Sequence, residues 1–257
     1  MALRETSVRP ISPCLMRWEI FAVFAVSLGA SALNALLSLI GSLLAPAPLS
    51  GQEALLVGSQ ASNHWLDLTL QLASVAEGLA PVVLVFYLLA RSDEAPSLIG
   101  IDASQPGKDA ARGAALGAVI GGIGLGLYYA AFHLHVSLNV VPEQLPSVWW
   151  RVPVLALFAF QNGMLEETVV LGYLLTRLDQ LGTKPAKAIV ISAVLRGSYH
   201  LYQGLGGFLG NAAMGVVFGV LFRRWRRATP MIIAHTLIDG VAFIGYSYLH
   251  GKVSWLP

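Results

Sequence analysis

Apolar runs long enough to cross a bilayer recur along this chain from Trp18 to about Leu249, separated only by short polar or Pro/Gly-rich breaks. A helix rises about 1.5 Å per residue, so about 20 such residues span a hydrocarbon core of roughly 30 Å with every backbone hydrogen bond made internally. Charge is scarce to match: 12% of the 257 residues are charged and 56% are hydrophobic, where soluble domains carry about 25% charged residues. The expected fold is all-α, a polytopic membrane helical bundle forming one integral membrane domain over residues 1–257, placed in a cell membrane as a multi-pass protein.

Hydropathy and the breaks place about seven transmembrane helices, at 18–44, 65–90, 111–136, 151–176, 187–203, 206–222 and 230–249; a split helix near 65–90 would make an eighth. The first run is too long for a signal peptide and is expected to stay as an anchor. With residues 1–17 as a cytoplasmic tail, thirteen of the 16 Lys and Arg residues fall on the inner side, from Arg4, Arg9 and Arg17 to Arg223, Arg224, Arg226 and Arg227. The positive-inside rule therefore puts the N-terminus in the cytoplasm. A formal net charge of +2 implies no nucleic-acid partner, and the lone Cys14 excludes an intramolecular disulfide and a cysteine metal cluster. Glycines four apart (Gly113, Gly117, Gly121; Gly206, Gly210; Gly215, Gly219) predict close helix approach.

Against this apolar background, Glu166 and Glu167 lie side by side in the fourth span, Arg196 and His200 share the fifth, and His235 and Asp239 share the seventh. A charged side chain at the centre of a membrane helix costs roughly 2.5–3.5 kcal/mol, so such residues are functional candidates by default. Counting helix rise from the cytoplasmic ends puts all of them in the inner half or near the midplane. Residues four apart share a face, so Arg196 lies one turn below His200 and His235 one turn below Asp239. Adjacent glutamates diverge by about 100° and take different roles, one towards water and one towards a cation. The bland reading of the group is an interhelical ion-pair network without chemistry.

The pattern resembles the CAAX protease and bacteriocin-processing family of intramembrane proteases, related to the Ras-converting CAAX endopeptidases. That family's Glu-Glu-x-x-x-Arg motif is matched from Glu166 to Gly172, with Leu171 in place of the arginine. Its Phe-x-x-x-His motif is matched by Arg196 to His200, with arginine in place of phenylalanine, and its His-x-x-x-Asn/Asp motif by His235 and Asp239. The likeness covers the motif-bearing core, residues 150–245. The two departures read as one event: the arginine lost at position 171 reappears as Arg196 on the neighbouring helix, placed to pair with Glu167.

The resemblance implies an intramembrane endopeptidase in which Glu166, assisted by His200, activates water, while His235 and Asp239 hold the oxyanion or orient the attacking group. Glu167 and Arg196 support them. A divalent metal such as zinc, held by His200, His235 and Glu166, is the alternative way to balance the acidic excess. Membrane lipids and a membrane-associated peptide or protein substrate, lipid-modified in part of the family, are the expected partners. Two rivals stand beside this reading: a proton-coupled transporter or channel whose relay includes Asp67, Glu77, His133 and His135, and a non-catalytic scaffold that keeps the cluster for packing. Glu77 in particular is deep and fits a supporting place beside the cluster.

Overall fold

The computed structural model describes residues 11–134 and 137–252, apart from the side chains of residues 131–133. Helix α1 (Pro13–Ala25) begins within the expected tail 1–17, with Ser12 accepting from the Leu15 amide at 3.3 Å; Arg4 and Arg9 lie outside the described residues. The first apolar run is two helices rather than one continuous helix. α1 and α2 (Leu28–Leu44) meet at a bend of 49°.

Among the described residues, five helices are long and apolar enough to cross a membrane, or six if the bent pair is one span. They are α3 (His64–Arg91), α4 (Pro106–His133), the continuous α5–α6 rod over 151–180, α8 (Leu205–Trp225) and α9 (Thr229–Leu249). α5 covers Arg151–Glu166 and α6 covers Leu174–Gln180. α3 is continuous past Pro81, so no split helix adds a span. The expected fifth span is instead α7 (Pro185–Ser198), 14 residues long, followed by a turn through Leu201–Gln203 into α8. At about 1.5 Å per residue α7 covers roughly 21 Å. It forms a tight hairpin with α8, where a Cβ on Gly215 would come within 2.9 Å of Ala193 Cα and one on Gly219 within 3.2 Å of Ile189.

A two-stranded parallel sheet amends the all-α expectation. β1 (Glu53–Gly58) pairs with β2 (Asn139–Gln144), Glu53 opposite Asn139 and Val57 opposite Glu143. It joins the α2–α3 and α4–α5 connections at one end of the bundle. The opposite end carries the cations and their acids: Arg91 pairs with Glu19, Arg177 donates to Glu94 at 2.6 Å, Arg223 to Asp179 at 2.6 Å, and Arg227 to Asp109 at 2.6 Å and Asp102 at 3.0 Å. Gly100, at φ +69°, lets its carbonyl accept from the Ala228 and Thr229 amides; a Cβ there would lie 2.1 Å from Arg227 Cα.

α9 packs against both α4 and α5. The glycine row of α4 makes the first crossing, since a Cβ on Gly113 would meet Ile233 at 2.6 Å and one on Gly117 the Ala234 carbonyl at 3.3 Å. Gly163 makes the second, with Thr236 Oγ1 at 2.7 Å from the position a Cβ would take. Gly210 has open space there instead, so that position does not mark a helix contact.

Candidate active site

α5 does not end at Glu166. It widens into a π-helical segment, Glu167–Tyr173, before continuing as α6. Such i→i+5 turns break the α ladder locally and recur at functional sites. Here the segment starts at the second glutamate, and Ser192 of α7 donates its hydroxyl to the Val170 carbonyl inside it at 3.0 Å. The α ladder is thus traded for a bond across to α7. All seven residues of the segment are buried.

The two glutamates have separate partners. Glu167, fully buried, receives Arg196 Nη2 at 2.5 Å and faces His235 Nδ1 at 2.8 Å, both at Oε1. Glu166 receives the Tyr199 hydroxyl on Oε2 at 2.7 Å, and Arg196 Nη1 lies 3.5 Å from that same oxygen. One guanidinium therefore sits between both carboxylates, as the joint departures at positions 171 and 196 suggested. Leu171 packs in an apolar cluster with Phe218 and Met231, and the Arg196 guanidinium lies 5.5 Å from the centre of the same Phe218 ring.

The other oxygen of Glu166, Oε1, faces His200 Nε2 at 3.9 Å. His200 is not within a helix, because α7 stops at Ser198 and the residue sits in the following turn. Its Nδ1 lies 3.0 Å from the Arg196 carbonyl. A carbonyl only accepts, so Nδ1 carries a proton, and when the ring is neutral its Nε2 lone pair faces Glu166. On α9, His235 Nε2 is 3.7 Å from Asp239 Oδ2, which also accepts from Asn162 Nδ2 at 2.9 Å. Three helices and one turn thus bring Glu166, Glu167, Arg196, His200, His235 and Asp239 into one connected polar group.

Residues 148–241 match the family model described as type II CAAX prenyl endopeptidase Rce1-like. That segment is similar to the Rce1-like family over about a third of the chain. It contains every residue of the polar group and runs from just before α5 into α9. No curated protein and no solved structure matches the chain.

The geometry alters the metal set expected from the sequence. The residues that can each bring one ligand atom to within 4.8 Å of the others are Glu166, Glu167 and His235; His200 is not among them. That buried trio could hold a cation, yet its Glu167 oxygen already serves a guanidinium at 2.5 Å. The fixed charge of Arg196 beside that oxygen repels a dication there.

The proposed relay does not assemble among the described residues. Asp67 is buried and pins the turn before α3: it accepts from the Gln60 amide at 2.8 Å, Ser59 at 2.8 Å and Gln71 at 3.0 Å. Glu77 is exposed on α3, with no ion pair or hydrogen bond to the cluster, so it is not a supporting partner there. His135 and the side chain of His133 lie outside the described residues. Tyr199 and Asn162 join the site without having been singled out in the sequence. Asn162 precedes Glu166 by four residues and so shares its face, a signal that was available; Tyr199 gave none beyond adjacency to His200.

Proposed function

We propose that the chain is a multi-pass endopeptidase of the cell membrane that hydrolyses a peptide bond with water activated by Glu166 and His200. The observation that carries this reading is the pairing of Glu166 Oε1 with His200 Nε2 across 3.9 Å. Both atoms are acceptors. A water donating to each, at ordinary lengths of about 2.8 Å, would be held with its oxygen lone pairs outward, ready to attack a scissile carbonyl as a proton passes to the carboxylate. Glu166 then carries that proton to the leaving amine.

His235 is the donor to the oxyanion in this scheme. Glu167 fixes its Nδ1, so a protonated ring presents Nε2–H towards the side where Asp239 lies. Asn162 holds the Asp239 carboxylate aside. Donors fixed in a dry site stabilise developing charge without reorganising. Arg196 holds Glu167 in place through its 2.5 Å contact, and this scheme uses no metal. The N-terminus is cytoplasmic, so the end bearing Arg177, Arg223 and Arg227 faces the cytoplasm beside anionic lipid. The substrate is a membrane-associated peptide or protein; the family's prenyl endopeptidase description makes a prenylated cysteine near the C-terminus the first chemistry to try.

The test is cleavage, in lipid nanodiscs, of an internally quenched peptide ending in a farnesylated cysteine and three further residues, beside its unprenylated twin. Glu166→Gln should lower kcat by 10²–10⁴-fold, the range for loss of a general base, while the protein stays folded. Undiminished cleavage by Glu166→Gln would overturn the hydrolase reading. Equal rates on the two peptides would keep the hydrolase and remove the prenyl preference.

A further inference from the structure

The Tyr199 hydroxyl makes a short hydrogen bond to one oxygen of Glu166 and so distinguishes the two. Oε2 accepts from Tyr199 at 2.7 Å and has Arg196 Nη1 at 3.5 Å, whereas Oε1 faces His200 Nε2 at 3.9 Å. A carboxylate is symmetric, and rotation of its terminal torsion exchanges the oxygens easily. A charge-assisted hydrogen bond of this length on one oxygen stops that exchange.

Building on the proposed hydrolase, we infer that Tyr199 is a positioning residue that commits Oε2 of Glu166 to the protein and leaves Oε1 as the base facing His200. The ring is held for the task. Tyr199 is 5% exposed and packs in an apolar cluster with Val23 of α1, Leu28 of α2, Val85 and Leu89 of α3, and Val169 and Val170 of the π segment. Its other face lies against the His200 ring, with centroids 4.8 Å apart. One rigid aromatic therefore sets the direction of the glutamate and backs the imidazole in the same turn. The helices before residue 148, outside the family match, contribute to the site through this ring: they carry no motif, but they build the pocket that fixes the phenol.

The inference predicts a kinetic signature. Tyr199→Phe keeps the ring and its packing and deletes only the hydroxyl. With the same quenched peptide and folded, monodisperse protein, kcat should fall about tenfold to a hundredfold, the range for a hydrogen bond to a charged group, with KM within about twofold of the parent. In a Glu166→Gln background, Tyr199→Phe should cause no further loss, because the tyrosine acts through that carboxylate. A packing role would instead lower the melting temperature and leave kcat per folded molecule unchanged.

The outcomes separate cleanly. If Glu166→Gln abolishes cleavage while Tyr199→Phe stays within twofold of the parent in kcat, the positioning role is wrong and the hydrolase stands. A rise in KM at constant kcat, or a further loss in the Glu166→Gln background, also overturns the role. If both single variants cleave like the parent, the hydrolase reading and the role fall together.

Discussion

Replacing Arg196 by methionine keeps the stem that lies against Gly215, whose added Cβ would come within 3.2 Å of Arg196 Cδ, and removes the charge between the two glutamates. Glu167 would then be a fully buried carboxylate with His235 as its one remaining partner, at 2.8 Å. Breaking a buried ion pair by deleting one member costs about 3–5 kcal/mol, because an uncompensated charge stays behind; the surviving imidazole contact points to the low end, about 3 kcal/mol. Glu167→Gln is the complementary change. The amide oxygen can still accept from Arg196 and His235, so the variant isolates the charge, and its cost is of the same order. Independent losses would sum to about 6 kcal/mol in the double variant. A true pair leaves no orphan charge when both members go, so the double variant should lose about 3 kcal/mol or less, a coupling of about 3 kcal/mol. Equilibrium unfolding of the four proteins in mixed micelles measures that cycle. Additivity within about 0.5 kcal/mol would refute the argument that Arg196 replaces the arginine missing at position 171.

Three further outcomes follow from the same structure. Moving the cation back, as Leu171→Arg combined with Arg196→Met, should recover more than half of the stability lost by Arg196→Met alone, since both positions adjoin Phe218; no recovery would show that position 171 cannot reach Glu167 from the π segment. Treatment with 1,10-phenanthroline should leave cleavage unchanged, because Arg196 occupies the Glu167 oxygen that a metal in the buried trio would need; loss of activity restored by added zinc would reverse that conclusion. At the basic end, outside the spans, hydrogen bonds from Arg227 and Ser104 hold the Asp102 carboxyl well below the usual carboxylate range. A folded-state value below the unfolded one contributes stability that is present above about pH 4 and lost as the pH falls towards the folded-state value. The stability difference between the parent and Asp102→Asn should therefore be constant from about pH 5 to 8 and shrink only below about pH 4; a change near neutrality would count against this.

The sequence by itself determined the solvent and the chemistry. Runs of apolar residues admit only segments whose backbone bonds close internally, and acids, imidazoles and a guanidinium set among them are too costly to keep without partners. Residue spacing carried further: the rule that residues four apart share a face, together with a missing arginine at 171 and an extra one at 196, was enough to expect the Arg196–Glu167 contact found at 2.5 Å. Hydropathy could not say that the run 18–44 bends or that α7 stops at 14 residues, because it reports how apolar a segment is and not where its backbone turns. Nor could it pair β1 with β2, which lie far apart in the chain, with α3 and α4 between them. The tertiary fold alone decided which oxygen of which glutamate meets which donor. That choice depends on the π segment, on His200 leaving the helix for a turn, and on α1–α3 packing around the Tyr199 ring. Each is set by contacts between helices, and periodicity within one helix carries no record of them.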